Sequence, residues 1–279
     1  MKVYISVDME GVAGVNHPAP TGRADSRYPD AVALMVGEAN AASRGAFDGG
    51  ATEVVVNDSH GAMFNLRPAE LDRRARVLQG QKAWSMVEGA GPDRGFGVAL
   101  FVGYHARAGH PRGTIAHTYS GRPTSTRLNG RLVGETGINA AVLGAWGVPV
   151  GLVTGDDALA EEVAEWLPWA ERAVVKDAAG GSSAASLHPT AAAELIEAAA
   201  ATAVRRATVA GHGALQALEV ERPVVIEVDY VNGVCADFAA VVPGATRNGD
   251  RGVRFEAPDP VLAYRGFLAG IRLAGIVES

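Results

Sequence analysis

Four short apolar runs occur along residues 1–157, and each passes directly into side chains that bind metals or move protons. Residues 3–7 lead into Asp8-Met9-Glu10-Gly11, 54–56 into Asn57-Asp58-Ser59-His60, 98–102 into Gly103-Tyr104-His105, and Leu152-Val153 into Thr154-Gly155-Asp156-Asp157. The runs at 54–56 and 98–102 are apolar throughout, as expected of strands covered on both faces. In open α/β sheets ligands bind beyond the carboxyl ends of the strands, where several strand ends can aim polar groups at one point. These four termini therefore predict one shared site.

Between the runs, helical patterns alternate with the strands. Residues 30–48 place Ala31, Leu34, Met35 and Glu38 at helical spacing, with Gly49-Gly50 as a stop. Further helices are expected at 136–146, ending at Gly147-Val148-Pro149, at 158–167, ending before Pro168, and at 189–208, opened by Pro189. This alternation predicts βαβ units and an α/β fold, a three-layer α/β/α arrangement with a largely parallel or mixed central sheet. Asn129-Gly130 marks a hairpin that delivers Gly134-Glu135 to a helix start, because both turn residues tolerate positive φ. Residues 222–257 read differently, with short strands expected at 223–230, 237–242 and 252–256, followed by a helix at 260–274. The softest seam is Gly211-His212-Gly213, so a catalytic α/β domain over 1–212 and a smaller β-rich C-terminal subdomain over 213–279, packed on the same unit, are expected.

Composition narrows the function classes. The chain has 279 residues, 48% of them hydrophobic and 20% charged, with no repeat or low-complexity linker, which describes a folded globular protein. A net charge of -6 supplies no basic field for a phosphate backbone, so nucleic acid is not an expected partner. The single cysteine, Cys235, excludes an internal disulfide framework and a cysteine-based zinc knuckle, leaving His and carboxylates as metal ligands. The apolar stretch after Met1 is too short for a secretory signal, and the Ala-rich segment 191–204 is interrupted by Glu194 and Glu197, so no membrane partner and a cytoplasmic location are expected.

Each chemical group has an ordinary explanation beside the functional one. Asp8 and Glu10 fall on one side of a strand and offer two carboxylates to a cation, yet Lys2, Tyr4, Ser6, Asp8 and Glu10 would also suit a solvated strand face. His60 could sit in an Asx turn or cap with Asn57-Asp58-Ser59. Two histidines and a carboxylate pair at equivalent strand ends are harder to attribute to capping, which favours a metal site. His117 lies in Thr114-Ile115-Ala116-His117-Thr118-Tyr119, a possible ordinary strand; Glu135 could serve the helix dipole, and Asp156-Asp157 could support the ligands or cap a helix. His17, His110, His188 and His212 are given no role.

Five motifs, in order along the chain, carry a resemblance. Ser6-Val7-Asp8-Met9-Glu10-Gly11, Val56-Asn57-Asp58-Ser59-His60, Ser85-Met86-Val87-Glu88-Gly89, Gly103-Tyr104-His105-Ala106-Arg107-Ala108 and Val133-Gly134-Glu135 resemble the zinc-dependent D-aminopeptidases of the DppA type, peptidase family M55. The resemblance covers most of residues 1–157 and weakens towards the C-terminus. It implies two zinc ions held by Asp8, Glu10, His60, His105 and Glu135, with Asp8 bridging them, and a catalytic histidine at His117. It also implies a homo-oligomer, a homodecamer with its sites facing an internal channel.

Three carboxylates and two imidazoles without a thiolate agree with that implication, since such a set suits a two-metal hydrolase that polarises a peptide carbonyl and anchors a free α-amino group. The expected function is that of a di-zinc metallo-aminopeptidase that removes the N-terminal residue, D-amino acids included, from short peptides or amino-acid amides. His117 is left open between nucleophile and general base, with proton transfer favoured. A related metal-dependent amidohydrolase for β-aminoacyl peptides, and a non-enzymatic peptide- or metal-binding protein, stand as the alternatives.

Overall fold

The computed structural model describes residues 1–209 and 215–277. Along the chain the elements are β1 (Lys2–Val7), α1 (Tyr28–Asp48), β2 (Glu53–Asp58), β3 (Arg76–Leu78), β4 (Phe96–Val102), β5 (Pro123–Leu128), β6 (Arg131–Leu132), α2 (Glu135–Ala145), β7 (Val150–Asp156), α3 (Asp157–Trp166), β8 (Glu171–Gly180) and β9 (Ser183–Ser186). They continue with α4 (Pro189–Val209), β10 (Val224–Tyr230), α5 (Gly233–Ala239), β11 (Thr246–Asn248), β12 (Gly252–Ala257) and α6 (Pro260–Gly275).

The main sheet has the order β3-β2-β1-β4-β7-β8-β9. Every pairing is parallel except β8 with β9. Strand β1 is central, and Val7 lies opposite both Asp58 of β2 and Val102 of β4, so the three strands end level. That registry places Asp8, Ser59 and Gly103 side by side. Alternate residues of β1 serve different layers, as strand geometry requires. Val3, Ile5 and Val7 pack with α1 and α4, whereas Tyr4 packs on the opposite face with residues of α2, α3, the second sheet and α6. The expected three-layer α/β/α fold with a largely parallel, mixed sheet is thus realised.

Small residues let α1 and α4 approach closely. A Cβ at Gly45 would collide with the Glu197 carbonyl, and one at Gly49 would crowd Ala201 and Val204. Across the same contact Arg44 pairs with Glu197 at 2.7 Å.

The second sheet, β11-β12-β10-β5-β6, is antiparallel. Asn129 and Gly130 turn the β5–β6 hairpin with φ of 47° and 80°, as expected. This sheet takes strands from 123–132 as well as from 224–257, because β10 pairs with β5 on one side and β12 on the other. One expectation fails. The strand predicted at 237–242 is replaced by helix α5, capped by the Asn232 side chain accepting from the Cys235 amide. Cys235, Ala236 and Ala239 face inward at helical spacing, a distinction that a short apolar run does not make on its own. Strands β3, β8, β9 and β11 were not anticipated. The seam at 211–213, with His212, lies outside the described residues. No helix among the described residues is long and apolar enough to cross a membrane.

Candidate active site

Loops after β1 and β4 interlock to form the floor of the site. Asp8 donates its amide to the Val102 carbonyl and Gly11 donates to Gly103, both at 2.8 Å, while Ser59 donates to Val7 at 2.8 Å. The approach is close enough that a Cβ on Gly11 would run into the Tyr104 carbonyl oxygen. Gly103 has φ of 68°, and a Cβ there would strike the Asp8 carbonyl. Two glycines therefore permit the contact that carries Asp8 to His105.

Five predicted ligands converge. His60 Nδ1 lies 3.3 Å from Asp8 Oδ1 and 3.0 Å from Glu10 Oε2. His105 Nε2 lies 3.6 Å from Asp8 Oδ2 and 3.3 Å from Glu135 Oε1. Asp8 thus turns one oxygen to a His60–Glu10 half and the other to a His105–Glu135 half. All five residues are at most 8% exposed. Tyr4 and Ser6 are fully buried as well, which rules out the solvated-strand explanation for this face.

The imidazoles are oriented by backbone carbonyls. His60 Nε2 donates to Thr21 O at 3.0 Å, His105 Nδ1 to Ala106 O at 3.0 Å and His117 Nδ1 to Ile115 O at 2.8 Å. Once one nitrogen donates, a neutral ring presents a lone pair on the other. His60 Nδ1 and His105 Nε2 would then set lone pairs against carboxylate oxygens, an arrangement that only a proton or a metal ion reconciles. His105 Nε2 is buried and has no hydrogen-bond partner of its own. A histidine whose second nitrogen is held by a carbonyl is the usual support for a metal ligand. Oxygen and imidazole donors of this kind suit zinc, so the residues present fit the ion that the resemblance implied.

Electrostatics express the same demand for positive charge. Burial, then the Glu10 carboxylate, pushes Asp8 up to about 7. Burial opposes a charge on His105, but Glu135 and Asp8 outweigh it and raise the ring to about 10. Burial likewise opposes charge on His60, yet Glu10 and Asp8 hold it well above its ordinary value. Glu10 and Glu135, despite burial, are held below theirs, chiefly by His60 and His105 respectively. Without a metal, protons on His60 and His105 take the positions between the carboxylates.

His117 sits at the rim. Its ring stacks on His105 at 4.0 Å between centroids and 10° between planes, and its Nε2 is 3.9 Å from Glu135 Oε1. Burial, then the neighbouring His105, lowers its pKa, which favours the neutral ring. The segment carrying it is an arch rather than the strand considered from sequence. Ile115 and Tyr119 have φ of 54° and 61°, conformations that cost bulky side chains about 1–3 kcal/mol each. The arch is held by amide donation from Thr114 to Asp156, Ile115 to Gly181 and Tyr119 to Glu135 Oε1.

Asp156 accepts from the Leu159 amide as the cap of α3 and also holds Thr114, while Asp157 accepts from Ala178 and pairs with Arg112. The capping explanation holds for Asp156, and neither aspartate joins the cluster. Asp58 turns away to accept the amides of Asn65 and Leu66. A chamber of about 240 Å³ over the cluster is also lined by Ser59, Met63, Met86 and Tyr119. It shares Glu10 and His117 with a neighbouring cleft of about 520 Å³ lined by Pro18, His110, Ile115 and Gly181. Sequence reasoning missed Tyr119, whose only signal was its place two residues after His117.

Comparison with known proteins agrees with this geometry. Residues 1–269 match the M55 peptidase family, described as D-aminopeptidase. The chain is 36% identical over 276 residues to the D-aminopeptidase of Bacillus subtilis (strain 168), covering 98% of both sequences. Its fold matches the solved structure of the Zn-dependent D-aminopeptidase DppA from Bacillus subtilis, a self-compartmentalizing protease, with a TM-score of 0.94 and 35% identity over 100% of both chains. The resemblance drawn from five short motifs thus extends over nearly the whole sequence, and the chain belongs to the M55 family of D-aminopeptidases.

Proposed function

We propose that this protein is a di-zinc aminopeptidase that removes an N-terminal residue, with D-amino acids as its preferred class, from short peptides or amino-acid amides. The observation that carries this reading is the division of the buried cluster into two halves that share Asp8. His60, Glu10 and one oxygen of Asp8 would hold one zinc; His105, Glu135 and the other oxygen would hold the second. When bound, a zinc pair supplies Lewis-acid polarisation of a carbonyl and acidification of water.

The chain's own residues account for the remaining tasks. Asp8, Glu10 and Glu135, all buried, are the carboxylates that would offset the charge of a zinc pair. His117 presents Nε2 beside Glu135 with its other nitrogen tied to Ile115 O, so it can take up a proton and deliver it to a departing amine. The Tyr119 amide, donating to Glu135 Oε1 at 2.7 Å, keeps that carboxylate turned towards His105.

Three further parts complete the reading, of which the first draws on a relative. A homo-oligomer is supported by the self-compartmentalizing relative, and ten chains is the assembly we propose; a native mass about ten times 28.8 kDa is expected, and a fully active monomer would reject it. Strands β10, β11 and β12 lie beyond residue 212 but share their sheet with β5 and β6, so the C-terminal part is read as a subdomain packed on the same unit. A cytoplasmic setting is supported by the lone, buried Cys235.

Metal analysis of the purified protein, combined with a screen of D-, L- and β-aminoacyl amides and N-acetylated controls, tests the central reading. Two zinc ions per chain and cleavage of D-aminoacyl amides with a free amine are expected. Zinc-loaded protein that cleaves none of them would reject the assignment.

A further inference from the structure

A charged side chain that the proposed chemistry does not use lies directly beneath the metal-ligand loop. Lys176, on β8, is only 2% exposed, and its ammonium donates to the carbonyls of Glu10 at 2.6 Å, Val15 at 2.6 Å and Val12 at 3.3 Å. An ammonium has three donors, and here each has a carbonyl. From α1, the equally buried Glu38 reaches the same loop and accepts the Ala13 amide at 2.8 Å. Of residues 10–15, Val12, Ala13 and Val15 are buried in the core, while Gly11 and Gly14 carry no side chain. A buried charge is costly unless its hydrogen bonds are met, so the Lys176 ammonium must hold the loop in one arrangement to remain buried; Glu38 adds one bond, to Ala13, and its Oε2 has no partner.

We propose that Lys176 and Glu38 form a positioning pair that fixes residues 10–15 from below and so presents the Glu10 carboxylate, preshaped, to a metal ion. The inference rests on Glu10 being a zinc ligand, as argued above. Lys176 binds the carbonyl of Glu10 itself, so a change in its grip shifts the backbone from which that carboxylate projects. Glu38 orients the loop at the next turn through Ala13. The pair touches neither substrate nor metal.

The loop's shape and the metal affinity are measured separately. In chelator-stripped wild-type protein, hydrogen exchange across residues 9–15 should already be slow and should change little on adding zinc. Protection that appears only with zinc would overturn the proposal, because the metal would then be shaping the loop. Zinc affinity by chelator competition should fall roughly 10–100-fold in Lys176→Met, as for loss of other groups that orient a ligand. Val175→Ala, a buried neighbour on the same strand, should lower the melting temperature without that loss. Glu38→Ala should also weaken zinc, whereas Glu38→Gln keeps an acceptor for Ala13 and should retain wild-type affinity. Wild-type affinity in Lys176→Met and Glu38→Ala, or equal loss in Glu38→Gln and Glu38→Ala, would overturn the pair's role. Wild-type protein that binds no zinc would reject the metal reading instead, and exchange in the metal-free protein would still report on the loop.

Discussion

Replacing His117 with alanine separates binding from chemistry at this site. The ring makes one hydrogen bond, from Nδ1 to Ile115 O, and its Nε2 stands 3.9 Å from Glu135, too far to support that carboxylate. Glu135 keeps its bond from the Tyr119 amide, and His105 keeps its bond to Ala106 O, so the proposed ligands retain their orientation. With a side chain still 26% exposed, His117 leaves no sealed cavity when truncated. His117→Ala should therefore bind zinc as the wild type does and melt within a few degrees of it. A positioned acid–base group contributes roughly 10²–10⁴ in rate, equivalent to about 3–5 kcal/mol of barrier. Steady-state hydrolysis of a D-aminoacyl amide should lose that factor in kcat at unchanged zinc content. A kcat within about tenfold of wild type would refute a chemical role, and loss of zinc would show that the ring holds the site together instead.

Other perturbations address the ligands and the loops that carry them. Glu10→Ala and His60→Ala should each lower zinc content and abolish hydrolysis; full zinc content in both would remove them from the ligand set. Gly11→Ala drives a methyl group into the Tyr104 carbonyl, and overpacking of this kind costs about 3 kcal/mol, or roughly 5–10 °C in melting temperature for a chain of this size. An unchanged melting curve would show that the interlocked loops can part. In chelator-stripped protein, His105 is raised to about 10 from an ordinary value near 6.5, so its ionic contribution is complete below about pH 6.5 and is lost as pH rises through about 10. The stability advantage of wild type over His105→Gln should shrink across that window in thermal melts, and an advantage that grows with pH would contradict the assigned contacts.

Much of this site was legible because strand ends are legible. Uninterrupted apolar runs marked β2 and β4 as central strands, and a parallel sheet aligns such ends on one edge whatever the loops contain. Asp8, Glu10, His60 and His105 could therefore be placed together from the pattern alone. Glu135 and His117 were less legible, since a helix start and a short irregular arch resemble ordinary structure until their partners are seen. Local chemistry also predicted the β5–β6 turn and the termini of α1, α2, α3, α4 and α6 to within about two residues. It failed at α5, where seven residues are too few for periodicity to separate helix from strand.

Residue order thus determined the kinds of ligand available, their absence of thiolates, and the glycines without which the β1 and β4 loops could not meet. Packing alone decided which nitrogen of each imidazole faces inward, because that depends on the carbonyls of Thr21, Ala106 and Ile115 that happen to lie behind the rings. It also decided that a lysine 166 positions away from Glu10 would grip that residue's carbonyl. Contacts of that separation leave no local period or motif in a single chain; they arise only when β8 is laid beside β7 and the loop after β1 closes over it.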